Sequence, residues 1–199
     1  MDFEQAAASS ATRAEPERNG ELSSLCEEIV WRLPGIDAVT ARKSLQAALN
    51  RFCMDSGALV ECVRVPADPL GGARAESPWP AIVFRADAHD AFGRTLPSPR
   101  ICGNGVMLPP GTLGPCGMVE FSLHLMPDQG SEDVPPGFVA RHGNAIVHAA
   151  LSQLLSMKGR PWADEGEARR EDRQYHDALA EAVAPDFMRT ARPQRAGLW

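Results

Sequence analysis

Hydrophobic side chains near the start of the chain recur every three or four residues, as they do on one face of a helix. One such stripe covers residues 22–33 and a second covers about 38–54. The Pro34-Gly35 turn separates the two stripes, and Asp37 stands where the N-cap of the second helix is expected. The sequence therefore predicts two N-terminal helices.

The spacing changes over residues 58–126, where the apolar runs become short. Prolines, glycines and the Asn104-Gly105 pair recur between the runs and favour turns. In the last run apolar and polar side chains alternate, which is typical of a half-buried strand. The middle of the chain is therefore predicted to form a compact antiparallel β lobe, with its strands in the runs Leu59–Val65, Ala81–Phe84, Ile101–Leu108 and Met118–Leu125.

Helical spacing returns after Pro135-Pro136, with one helix predicted over about 136–157 and another over about 163–183. Pro185 is expected to end the last helix, because a proline inside a helix removes a backbone hydrogen bond. The predicted fold class is α+β. We expect a helical bundle formed by the N- and C-terminal helices, with an inserted antiparallel β lobe.

Four regions follow from these patterns. The first residues are rich in Ala, Ser and Glu, and apart from Met1 they hold one large apolar residue, Phe3. Such a composition is typical of a segment that is disordered when alone. The predicted regions are an extended N-terminal arm over 1–20, a helical bundle over 21–57 and 135–184, an inserted β lobe over 58–134, and a C-terminal docking tail over 185–199.

Composition and charge exclude several classes of protein. Hydrophobic residues make up 44% of the 199 residues, which excludes wholesale disorder and allows a core without a disulfide or metal staple. The formal net charge of −6 argues against a dedicated nucleic-acid binder, which is usually strongly basic. No apolar stretch approaches the roughly 18 residues that a membrane span needs, so we expect no membrane contact. The five cysteines form no CxxC pair and are expected to be reduced thiols.

Candidate catalytic and metal-binding residues lack the spacing that their chemistry needs. His142 and His148 lie six residues apart, on different faces of one predicted helix, whereas a helical zinc pair is spaced by about three or four. Cys102 precedes Gly-Asn-Gly and would be the nucleophile of a Cys-His pair, but no local signature supports it. The sequence also lacks the motifs of phosphate-binding loops and of a nucleophile elbow. We therefore predict no enzyme, no cofactor and no metal.

Two charged clusters have simple structural explanations. The acids over 164–177 alternate with arginines at helical spacing, which predicts a solvated, salt-bridged helix face. The two N-terminal helices also have the outline of a helix-turn-helix, in which Arg42, Lys43 and Arg51 would contact DNA phosphates. So few bases would bind phosphates weakly. A small helix-turn-helix regulator stays an alternative.

Two segments resemble those of phage head-to-tail connector proteins, the adaptor class that joins the portal to the tail. Residues 33–53 read LPGIDAVTARKSLQAALNRFC, in which a Pro-Gly turn precedes a helix that ends in the aromatic-Cys step Phe52-Cys53. Residues 145–162 read AIVHAALSQLLSMKGRPW, which is similar to the Ala-rich helix and the Met-x-Gly-[Lys/Arg]-Pro-Trp turn of that family's C-terminal hairpin.

The turn of the second segment has a physical explanation. Gly159 favours a left-handed exit from the helix. Pro161 fixes the turn and disfavours helix at Arg160. Trp162 offers a large apolar face to both flanking helices. These four residues are therefore predicted to form a rigid structural hairpin.

The resemblance implies a structural virion protein without an active site, assembled in the host cytoplasm. Such adaptors form a ring of twelve copies between portal and tail, through which DNA passes without sequence-specific binding. The resemblance also implies that the C-terminal segment docks on the portal, and the candidate docking residues are Phe187, Arg189, Arg192, Arg195, Leu198 and Trp199. The lobe would meet the next tail or neck component. The alternatives are a tail-tube or neck ring protein of the same virion region, the helix-turn-helix regulator, and an enzyme that uses Cys102 or a histidine.

Overall fold

The structure is a computed structural model that describes residues 18–77, 80–114, 117–128, 134–135 and 137–190. Within these residues the helices are α1 (Arg18–Arg32), α2 (Ala38–Ser56), α3 (Phe138–Leu155) and α4 (Glu165–Thr190). The strands are β1 (Val60–Pro66), β2 (Ala73–Glu76), β3 (Ala81–Asp90), β4 (Arg100–Cys102), β5 (Gly105–Leu108) and β6 (Met118–Pro127). The predicted α+β class is confirmed, with helices at both ends and antiparallel strands between them.

The ends of α2 are fixed by local side-chain and backbone chemistry. The Thr40 amide donates to Asp37 Oδ1 at 2.8 Å, and the Thr40 hydroxyl donates to Oδ2 at 2.7 Å. These two hydrogen bonds hold the pKa of Asp37 below its ordinary value, and the bond from the Thr40 hydroxyl has the larger effect. At the other end Gly57 is left-handed, with φ +61°, and its amide donates to the Cys53 carbonyl at 3.0 Å. Asp37 is therefore the N-cap that the sequence predicts.

Helix α3 is the most apolar helix and contacts each of the other three. Its whole predicted stripe is buried, from Phe138 and Val139 to Leu154 and Leu155. Helix α2 also contacts β6, so the helices and the strands share one hydrophobic core. The β lobe therefore packs against the helices through the contact between β6 and α2.

Strand β6 is the centre of a three-stranded antiparallel sheet with the order β1-β6-β3. Its apolar side chains at Val119, Phe121, Leu123 and Leu125 are all buried, and the polar residues between them are half-buried. The alternation predicted for this run is thereby confirmed. A register shift between Val83 and Arg85 marks a bulge at the middle of β3.

The second sheet has the order β2-β5-β4 and differs from the sequence prediction in two ways. The run predicted as one strand over Ile101–Leu108 is a hairpin, in which Cys102 pairs with Gly105 around a Gly103-Asn104 turn. Gly105 lies inside β5, where a Cβ would stand 2.6 Å from the Ala75 carbonyl oxygen. Gly103, with φ +64°, therefore allows the turn, and Gly105 allows the close approach of β5 to β2.

The predicted end of the last helix at Pro185 is wrong, because α4 continues to Thr190. A proline inside a helix removes one amide donor and crowds the preceding turn, at a cost of about 3 kcal/mol. The backbone on both sides of Pro185 is helical, and the alanines at 180, 182 and 184 favour helix strongly. The predicted docking tail over 185–199 therefore begins as helix.

Gly71, a left-handed glycine in the β lobe, allows a test of how a close backbone contact stabilises the lobe. A Cβ at Gly71, which has φ +76°, would stand 2.0 Å from the Leu113 carbonyl oxygen. We expect Gly71→Ala to lower the free energy of unfolding by about 2 kcal/mol, through backbone strain and displacement of the loop at Leu113. Gly93 has the same φ and nothing within 4 Å, so Gly93→Ala should cost about 1 kcal/mol. Urea unfolding of both variants measures the difference, and equal losses would contradict the role of the close contact.

Candidate partner-binding site

Helices α1 and α2 leave an apolar groove of about 580 Å³ between them. Both helices present side chains to it at a spacing of three or four residues, which places those side chains on one face of each helix. We call this surface the α1–α2 groove. Its apolar lining residues are Leu22, Cys26, Val30 and Trp31 from α1 and Ala38, Val39, Leu45 and Leu49 from α2.

The rim of the α1–α2 groove is unusually exposed for apolar side chains. Trp31 is 82% exposed and Val39 is 63% exposed. Glu27 and Arg42 also line the groove, so charges of both signs stand beside the apolar surface. A contiguous apolar surface with a polar rim is typical of a site that contacts another segment or protein.

A second exposed apolar group lies on the β lobe. Phe92, in the turn after β3, is 83% exposed. The Arg94 guanidinium stands 5.5 Å from the centre of its ring. Asp90 fixes this turn, because its Oδ1 accepts from the Phe92 and Arg94 amides at 2.9 Å each. Leu70, in a loop of the lobe, is also largely exposed. The lobe therefore offers an aromatic side chain on an ordered turn.

The predicted Gly-Arg-Pro-Trp hairpin lies between α3 and α4. Gly159 has φ +78°, the left-handed conformation that its sequence position predicts. The Ala163 amide donates to the Arg160 carbonyl at 3.1 Å, which closes the turn around Pro161. Trp162 is half-buried against the core, with the Arg160 guanidinium 5.8 Å from its ring centre. Gly159, Arg160 and Pro161 are exposed, and Trp162 is the residue of the four that packs this corner against the core.

A largely buried hydrogen-bonded pair, His148 and Glu171, joins α3 to α4. His148 Nδ1 lies 2.5 Å from Glu171 Oε2, and both side chains are largely buried. Arg32, at the end of α1, approaches the other oxygen of Glu171 at 4.0 Å. Glu171 thus departs from the solvated helix face that the sequence predicts for the acids of this helix. Glu171 of α4 therefore links its helix to both α1 and α3.

The bases of the helix-turn-helix alternative are partly used within the fold. The Arg51 guanidinium stacks 4.5 Å above the Tyr175 ring and pairs with Asp55 at 3.4 Å and Asp172 at 3.8 Å. Arg42 lies at the α1–α2 groove, and Lys43 is exposed. A DNA-binding face built on α2 therefore lacks one of its three proposed phosphate contacts.

The candidate catalytic residues have separate surroundings. Cys102 is exposed at the end of β4. The His142 ring packs 5.1 Å from the Phe52 ring and 4.9 Å from the Phe138 ring. Burial, with a smaller contribution from Arg141, lowers the pKa of His142. Since His148 pairs with Glu171, the two histidines of α3 have different partners, as their spacing predicts.

The described part of the chain contains neither a metal-binding cluster nor a membrane-spanning helix. No group of three or more His, Cys, Asp and Glu side chains there is placed to hold a metal ion. None of the described helices is both long and apolar enough to cross a membrane.

The proposed C-terminal docking residues fall at the limit of the described chain. Phe187 and Arg189 belong to the last turns of α4, where the structure describes the backbone only. The other four, Arg192, Arg195, Leu198 and Trp199, lie outside the described residues.

The α1–α2 groove was missed by the sequence prediction, although a signal was present. Trp31 and Val39 are large apolar residues that fall outside the predicted stripes of their helices. Periodicity assigns such residues to the solvent side. An aromatic residue at such a position is the signal of a contact surface.

No family model matches the chain, and no curated protein sequence matches it.

Proposed function

We propose that the chain is a structural virion protein, a head-to-tail adaptor that forms a ring of about twelve copies between portal and tail. The observation that carries the proposal is the α3–α4 corner. Gly159 is left-handed, the Ala163 amide closes the turn on the Arg160 carbonyl, and Trp162 is half-buried against the core, which supports the structural hairpin that the resemblance implies. A rigid corner between two long helices suits a subunit that must hold one angle in every copy of a ring.

The exposed apolar side chains support a protein that acts through contacts. Trp31 and Phe92 are more than four-fifths exposed and lie on different parts of the fold, one on α1 and one in a turn of the lobe. Aromatic residues are enriched where proteins bind each other. A subunit between two partners needs at least two such surfaces.

The charge of the chain fits passage of DNA through a ring. Each copy carries a formal net charge of −6, so a closed ring is strongly negative. Repulsion between like charges lets a DNA duplex slide instead of binding. The proposed partners are therefore other copies of the chain, a portal protein and the next tail component, with DNA as cargo.

The mass of the particle in solution tests the proposal. We expect the purified chain, mixed with the portal protein of the same genome, to form a complex with about twelve copies per portal ring. Native mass spectrometry or light scattering of each protein alone and of the mixture gives the stoichiometry. A chain that stays a monomer in both samples contradicts the adaptor. A ring that forms but does not bind the portal favours the alternative of a tail-tube or neck ring protein.

A matched pair of variants separates the two ends of the proposed adaptor. The double variant Leu198→Ser and Trp199→Ser should weaken the portal complex at least tenfold, because it removes the two proposed apolar anchors. The variant Phe92→Ser removes an exposed aromatic from the lobe and should leave portal binding unchanged. Equal effects of both variants would argue against docking by the C-terminal segment.

A further inference from the structure

The tip of the β4–β5 hairpin holds an Asn-Gly pair, Asn104-Gly105, the dipeptide in which asparagine deamidates most readily. We propose that Asn104 is a modification site that the closed hairpin protects, and that Asn104 deamidates when the β2-β5-β4 sheet opens. The inference does not rest on the adaptor function and holds for a single chain.

Deamidation of Asn104 requires one new bond between neighbouring residues. The Gly105 amide nitrogen attacks the side-chain Cγ of Asn104, and the new C–N bond closes a cyclic imide. The side-chain nitrogen leaves as ammonia and takes up the proton that the Gly105 nitrogen loses. Water then opens the imide to aspartate or isoaspartate, so water is the one co-reactant. Glycine favours the attack because it has no Cβ to hinder the approach.

The native hairpin holds the two backbone groups that this reaction must move. The Asn104 carbonyl accepts a hydrogen bond from the Ser77 amide at 2.9 Å, which fixes the peptide unit between Asn104 and Gly105. Backbone groups of successive strand residues point to opposite sides, so the Gly105 amide points away from β2 and toward Cys102, its partner in β4. The Gly105 nitrogen is therefore engaged in the strand ladder and is not free to turn onto the Asn104 side chain.

Packing around Gly105 also opposes the reaction in the closed sheet. Gly105 is buried, and a Cβ there would stand 2.6 Å from the Ala75 carbonyl oxygen and 3.1 Å from the Glu76 side chain. Asn104 itself is exposed, so water reaches the site. Rotation of the peptide unit at Gly105 therefore requires β5 to separate from its neighbours.

The product would keep a record of the opening. Isoaspartate at position 104 adds one carbon atom to the backbone of the turn, and the length of a hairpin turn fixes the register of the strands that it joins. Gly105 pairs with Cys102 on one side and with Glu76 on the other, so both pairings depend on that length. We therefore expect the modified chain to lose the native register of this sheet.

Incubation of the full chain in native buffer and in urea tests the proposal. Trypsin releases residues 101–141 as one peptide, in which Asn104 is the only asparagine. After incubation at pH 8, the elution time and the fragment masses of this peptide report aspartate and isoaspartate at position 104. We expect Asn104 to deamidate at least about tenfold more slowly in the native chain than in the unfolded chain, because only the opened fraction reacts. The proposal is overturned if the two rates are equal, or if Asn104 reacts in neither sample.

A matched pair of proline variants tests the role of the Ser77 hydrogen bond. Ser77→Pro removes the amide that holds the Asn104 carbonyl and should raise the rate in native buffer severalfold. Ser98→Pro is the control, because Ser98 is exposed and also precedes a proline, and it should leave the rate unchanged. Urea unfolding of both variants establishes that folded chains are compared. Equal rates in the two folded variants would contradict protection by this hydrogen bond.

Discussion

Replacement of Phe52 by alanine is expected to lower the free energy of unfolding by about 3–5 kcal/mol. Phe52 is fully buried on α2, and its ring meets the Phe138 ring edge-on with centres 6.2 Å apart. The His142 ring lies 5.1 Å away, so the truncation removes contacts with two rings of α3. Since domains are stable by only about 5–15 kcal/mol, the variant would be close to unfolding. Urea or thermal unfolding measures the loss.

The control for this prediction is the exposed aromatic of the lobe. Phe92→Ala removes a ring of the same size that is mostly in water and touches mainly Arg94. We expect a change within about 0.5 kcal/mol, as for most surface substitutions. A loss of similar size in both variants would show that burial of Phe52 does not govern stability. Phe52 and the neighbouring Cys53 are both fully buried and belong to the core.

The parts of the fold that were predicted correctly depend on neighbours in sequence. The Asp37 cap and the buried stripe of α3 involve contacts within four residues, which a periodic pattern contains. The alternation of β6 is equally local. The strand that the sequence prediction missed involves a distant partner. Strand β2 has the sequence ARAE and no strand-forming residue, and it is a strand because it pairs with β5.

The candidate site was less predictable than the fold for a related reason. A groove exists only where two helices pack, and the sequence contains each helix but not their distance. Trp31 lies beside the stripe of α1, where periodicity expects a polar residue, so its role depends on the Val39 that α2 brings to it. The tie between His148 and Glu171 spans 23 residues and two helices. Local patterns therefore assign both residues to a solvent face.

The second large effect is a loss of stability in alkali. Burial raises the pKa of the Cys53 thiol to about 12. Burial, and then the hydrogen bond to Asp55, raise the pKa of the Tyr175 hydroxyl well above its ordinary value. In the unfolded chain these groups ionise from about pH 8.5 and about pH 10. Above those values the unfolded state holds fewer protons than the folded state, so stability falls as pH rises.

Ionisation of the Cys53 thiol in the unfolded chain should lower the free energy of unfolding by on the order of 3 kcal/mol between pH 8.5 and pH 11. Ionisation of Tyr175 adds to this loss above pH 10. Urea unfolding at several pH values gives the slope. Cys53→Ala removes the thiol, so we expect a lower stability at pH 8 but a clearly smaller decline towards pH 11. Cys62→Ala removes an exposed thiol and should keep the full decline. If Cys53→Ala also keeps the full decline, the buried thiol is not its source and the decline is due to Tyr175. Tyr175→Phe then tests this, because phenylalanine fills nearly the same space and cannot ionise.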